Sequence, residues 1–118
     1  MTALTDDLET EIRRLRVRII GLDSRRLDEP GGGPETGADT GRTAKSRRET
    51  IERALAEFSD IASGGRAVPD LGDASLADQV VVLLDHGRSV GQSLPEAERD
   101  AMLTELLDAA VALRRGLA

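Results

Sequence analysis

The chain has 118 residues with no Cys, Trp or Tyr, one Phe and one His, and it carries 22 acids against 16 bases for a net charge of −6. Those absences remove disulfides, thiolate metal sites, cysteine nucleophiles and the aromatic platforms on which flat ligands stack. Leu, Ile, Val, Met and Phe supply 31 residues, enough for the core of one small folded domain. The opening Met1–Glu9 turns acidic at once instead of showing the basic and then apolar pattern of an export signal. Apolar runs reach only five residues, as at Val80–Leu84, far below the roughly 18 to 20 that a membrane-spanning helix needs. The expectation is a soluble, cytoplasmic protein.

The periodicity of residues 5–28 predicts the first helix. Leu8, Ile12, Leu15, Ile19 and Leu22 recur at spacings of 4, 3, 4 and 3, which is a heptad seam. Thr5 is placed to cap its amino end, acids cluster near that positive pole, and Arg25 and Arg26 sit near the negative one. Gly21 is unfavourable inside a helix and points to close packing or a slight bend. Val17 and Ile20 lie off the seam, which suggests more than one neighbour. Arg14, Arg18 and Arg25 align as a stripe beside the seam; the plain reading is a solvated flank, the sharper one an anion-binding stripe extended by Arg47 and Arg48.

Residues 29–42 hold two prolines, five glycines and no large apolar side chain, the composition of a flexible linker. The stretch Gly37–Thr43 is no phosphate loop, because its interval is one residue short, arginine stands in place of lysine and no strand precedes it. The second helix is expected from Thr43 or Ser46 to Ser63, with Ser46 and Glu49 as a capping box, Gly64 as a left-handed stop, and Ile51, Ala54, Leu55, Phe58, Ile61 and Ala62 facing inward.

After a loop containing Pro69, Ser75 and Asp78 mark a third helix whose inner face is Leu76, Val80, Leu83 and Leu84. The β-branched run at 80–84 also suits a buried strand, but a lone strand has no partner, and helix is preferred. Ser93-Leu-Pro-Glu96 reads as a capped start of a fourth helix, with Met102, Leu103, Leu106, Leu107, Ala110, Leu113 and Leu117 as its stripe. The fold class expected is therefore all-α: a small bundle of about four helices, with residues 1–28 as a heptad-patterned dimerisation or partner-binding helix, 29–42 as the linker and 43–118 as a three-helix segment.

Chemistry is sparse. His86 is the only imidazole and has no nucleophile turn around it; no Glu-x-x-His pair or clustered metal ligands are found. No catalytic residue, cofactor or metal is assigned. The function expected is a non-catalytic helical interaction module, an adaptor, regulator or small accessory subunit, that binds a second copy or another helical protein through Leu8, Ile12, Leu15, Ile19 and Leu22. The alternative is a nucleic-acid-linked regulator using the Arg-rich 13–48 region, where ten of the sixteen bases fall. A helix-turn-helix turning at Gly87–Gly91 is disfavoured by the acids Glu96, Glu98 and Asp100 on its second helix. A small enzyme using carboxylates or arginines is a third reading.

Overall fold

A computed structural model describes residues 3–31 and 45–118. Five α-helices follow one another: α1 Ala3–Ile20, α2 Ser24–Asp28, α3 Arg47–Ser63, α4 Leu76–Gln92 and α5 Glu96–Gly116, with one 3-10 turn at Asp73–Ser75 before α4. The expected all-α bundle is present, built from four long helices and one short one. α1 and α3 each pack on both α4 and α5, and α4 packs on α5. The last two helices are thus the central pair, with α1 and α3 on the far corners.

The first helix is shorter than its heptad pattern. α1 stops at Ile20, where Leu22 donates to the Ile19 carbonyl in a tightened last turn, and Asp23 then caps a separate α2 by accepting from the Arg26 amide at 2.8 Å. An aspartate that can cap competes with helix continuation just after a glycine, so the chain bends fully instead of slightly. Thr5 lies inside α1 and does not cap it.

Local signals in α3 act as expected. Ser46 Oγ accepts from the Glu49 amide, Glu49 Oε1 accepts from the Ser46 amide, and Gly64 closes the helix in a left-handed conformation at φ 67°. The five-residue run Val80–Leu84 is helical, within α4. Ser93, by contrast, does not cap α5. Its hydroxyl donates to the Val90 carbonyl at 2.7 Å and so closes α4, leaving Pro95 at the α5 amino end without a side-chain cap.

α4 also runs straight through Gly87–Gly91, so the turn imagined there is absent and the reversal falls at Ser93–Pro95. Both glycines are buried against α5. A Cβ on Gly87 would sit 2.6 Å from Leu106 Cδ1, whereas one on Gly91 would make an ordinary 3.5 Å contact with Leu103. Small residues one turn apart let the central helices approach closely.

One continuous core joins all five helices, from Leu8 and Leu15 through Leu27, Ile51 and Phe58 to Val80, Leu84, Leu106 and Leu117. The linker's two ends are held together: the Arg47 amide donates to the Glu29 carbonyl at 2.8 Å, and Pro30 and Ser46 form an isolated antiparallel bridge. Gly31 lies so near the Gly116 carbonyl that any Cβ there would overlap it. Residues 32–44, with most of the expected linker and the Gly37–Thr43 stretch, lie outside the described residues. Because the flanks of that stretch meet, α1 and α2 belong to the same bundle as α3–α5, and no boundary at residue 43 separates their packing.

Candidate functional site

The heptad seam is internal. Leu8, Ile12, Leu15, Ile19 and Leu22 are between 0 and 7 % exposed, the first four on α1, which packs on α4 and α5, and Leu22 just past its end. Their spacing is accounted for by packing within one chain, and they offer a partner no surface as the chain stands. Val17 and Ile20 are the reverse case: expected to find a second neighbour, they are 72 % and 60 % exposed.

The five arginines considered for anion binding are dispersed. Arg18 and Arg47 converge from α1 and α3 on the Leu117 carbonyl, at 2.7 and 3.1 Å, and so cap the carboxyl end of α5. Arg48 forks onto Asp73 and also pairs with Asp28, tying α2, α3 and the 3-10 turn together. Arg14 reaches Glu11 within α1, and Arg25 is exposed on α2. Four of the five therefore already donate to protein oxygens.

The surface feature that stands out lies elsewhere, between the carboxyl half of α3 and the outer face of α4. Gly64 and Gly65, at φ 67° and 83°, turn the chain back after α3. The returning strap at residues 66–72 is fastened on both sides: buried Ser59 Oγ donates to the Arg66 carbonyl at 2.6 Å, and Gln79 Nε2 donates to the Pro69 carbonyl at 2.8 Å. Between strap and helices is a cleft of about 590 Å³. Val68, Leu71, Val82 and Leu83 supply its apolar surface, while Arg66, Asp78 and His86 supply its polar margin. Leu71 is 59 % and Val82 62 % exposed.

The signal for this cleft was the length of the Val80–Leu84 run. A helix buries about three or four positions in seven, so five consecutive apolar residues must leave at least one outside. Val80 and Leu84 are buried, Val81 and Leu83 half-buried, and Val82 faces out. His86 makes no hydrogen bond or ion pair among the described residues, and no group of three or more His, Asp or Glu is gathered there in metal-binding proximity.

A second cleft, between α1 and α5, is lined by Asp7, Glu11, Asp108, Arg14 and Arg115, with both signs interleaved. At its side is an ion pair invisible to sequence reading. Glu11, 5 % exposed, accepts from Arg114 through Nε at 2.7 Å and Nη2 at 3.0 Å. A second inter-helix pair, Arg88 to Glu9 at 2.8 Å, joins α4 to α1 and holds the Glu9 carboxyl below its ordinary range.

Fold and surface together define an all-α bundle with a strap-edged apolar cleft. No protein-family model matches the chain, and no curated protein and no solved structure matches it either. None of its helices is long and apolar enough to cross a membrane, among the described residues.

Proposed function

We propose that the chain is a non-catalytic helical interaction module whose docking surface is the α3–α4 cleft. The observation that carries this reading is the pairing of two exposed large apolar side chains, Leu71 and Val82, on the margins of a formed cleft. Solvent-exposed leucine and valine contribute nothing to the core, and a concave site with apolar walls is the common receptor for an amphipathic helix. The occupant that fits is a helix with two apolar anchors about one turn apart and basic flanks, because residues 70–85 carry four aspartates and no base.

The seam formed by Leu8, Ile12, Leu15, Ile19 and Leu22 is not part of this surface, since its burial completes the bundle. The nucleic-acid reading has weaker support, as Arg18, Arg47 and Arg48 already donate to protein oxygens. A catalytic reading finds no acid or nucleophile hydrogen-bonded to His86 among the described residues. Affinity capture from a native extract tests the proposal, using wild type and Leu71→Asp/Val82→Asp side by side at equal helicity. A protein retained by the first and lost from the second supports the cleft; equal recovery by both of every bound protein, further copies of this chain included, overturns it.

A further inference from the structure

Among the described residues four large apolar side chains are well exposed, and they form two pairs: Leu71 with Val82 at the cleft, and Val17 with Ile20 on the outer face of α1. Spacing places Val17 and Ile20 three residues apart, so they stand side by side as a short ridge on a convex helix surface. The cleft is concave and the ridge convex, and each is apolar at its centre.

Their surroundings are opposite in charge. Residues 13–20 contain four arginines and no acid, while residues 70–85 contain four aspartates and no base. Some of these charges are matched inside the chain: Arg13 by Glu9, Arg14 by Glu11, Asp73 by Arg48 and Asp85 by Arg88. Arg16 beside the ridge and Asp78 in the cleft have no ion pair among the described residues. Arg66 and His86 share the polar margin of the cleft with Asp78, and the acids nearest to it in sequence are Asp70 beside Leu71 and Asp85 beside His86.

We infer that the helix received by the cleft is α1 of a second copy of this chain, with Val17 and Ile20 inserted between Leu71 and Val82 and Arg16 facing Asp78. This rests on the cleft being a docking surface and names its occupant. Ridge and cleft are different patches, the ridge on α1 and the cleft between α3 and α4, and α1 and α3 are not among the extensively packed pairs of helices. The contact is therefore head-to-tail. Such a contact leaves a free ridge at one end and a free cleft at the other, so assembly continues past two chains unless the rotation closes a ring. With two apolar anchors on each side it is a small, reversible interface whose charges also steer encounter.

The test is sedimentation of the full-length chain together with two surface variants, Val17→Asp/Ile20→Asp and Leu71→Asp/Val82→Asp. All four positions are exposed, so circular dichroism should show unchanged helicity. The mean mass of the wild type should climb from 12.6 kDa past twice that value between about 10 µM and 1 mM, the affinity range of a weak, small contact. Each variant alone should stay at the mass of one chain. An equimolar mixture supplies one intact ridge and one intact cleft, so it should form a complex that stops at two chains and weakens several-fold from about 0.05 to 0.5 M salt.

A wild type that keeps its single-chain mass overturns the self-docking inference, as does a mixture of variants that fails to associate while the wild type does. Neither result bears on capture of a different protein by the cleft, which the extract experiment reads separately. Loss of capture specificity there, with self-association intact and dependent on these four residues, would instead limit the cleft to copies of its own chain.

Discussion

Arg114 grips Glu11 across the α1–α5 interface through two nitrogens, 103 residues away in sequence, with the glutamate almost wholly buried. α1 and α5 are the most extensively packed pair of helices, and this fork is the charged pair within that contact. Without Arg114 the buried Glu11 carboxylate keeps only the longer 3.4 Å contact to Arg14 and little water, whereas an apolar pair of similar volume has no such need. Arg114→Leu should therefore lower the thermal midpoint clearly, and Glu11→Leu/Arg114→Leu should recover a large part of that loss. Equal midpoints for Arg114→Leu and wild type would show that the fork contributes nothing.

Gly87 and Gly91 should respond differently to the same substitution. Alanine favours a helix over glycine by about 1 kcal/mol, and the new methyl at position 91 meets only an ordinary 3.5 Å contact. Gly91→Ala should be neutral or stabilising by up to about 1 kcal/mol. At position 87 the methyl would fall 2.6 Å from Leu106 Cδ1 and 3.2 Å from Ala62 Cβ, and Leu106 is fully buried with little room to turn. Gly87→Ala should cost about 1 to 3 kcal/mol, as overpacking does, and Gly87→Ala/Leu106→Val should restore part of it. Urea midpoints of the three variants check the ordering.

Phe58 is the only aromatic residue and is fully buried on α3. Phe58→Ala should cost about 3 to 5 kcal/mol, a large fraction of the roughly 5 to 15 kcal/mol that holds a domain folded. Ile12→Asp/Leu15→Asp should unfold the chain outright, because both positions are core. Retention of full helicity by that double variant would mean that α1 is not needed by the rest of the bundle.

Acid should destabilise the fold through two identified carboxylates. Arg88 and Arg13 hold the Glu9 carboxyl below its ordinary value, and Arg48 and Ser24 do the same for Asp73. A lowered folded-state value contributes stability that is complete above the unfolded-chain value and is lost as pH falls through the folded one. Urea midpoints should thus be level above about pH 5 and decline below about pH 4, the unperturbed carboxylate range. Asp73→Asn should start lower at pH 7 and decline less steeply. A variant profile parallel to wild type would show that the Arg48–Asp73 contact has no part in the acid response.

How much of this was legible depended on the range of each interaction. The α3 boundaries follow from Ser46, Glu49 and Gly64 because capping involves residues at most a few positions apart. The inward stripes of α3, α4 and α5 were legible for the same reason, since periodicity alone places Phe58, Val80 and Leu106 inside. Leu22 kept the heptad spacing and its burial although the helix had already ended, so periodicity concealed the break at Gly21. Asp23 was the local sign of it.

Topology was the other limit. Five seam residues predict burial equally well against a partner or against the same chain, and it is the packing of α1 on α4 and α5 that buries them within the chain here. The arginines of α1 and α3 look alike as a composition; that Arg18 and Arg47 meet at Leu117 is a result of where α5 ends. The Glu11–Arg114 fork and the Arg66 end of the strap likewise depend on which helices become neighbours. Val82 was visible as one apolar residue too many in a run of five, but its companion Leu71 was not, because it lies in a strap without a repeating pattern.

The most direct measurement replaces Val82 with a photo-crosslinking residue in the full-length chain, with Glu105 on exposed α5 surface as the control position, irradiates the protein in its native extract, and identifies the products by mass spectrometry. The account predicts an adduct from position 82 and none from position 105, and self-docking further predicts that the crosslinked peptide is α1 of a second copy, near Val17 and Ile20. An adduct with a different protein would retain the cleft as a docking surface and reject the second copy as its occupant. Recovery of the position-82 protein solely as the uncrosslinked single chain would contradict the central claim that the cleft receives a partner.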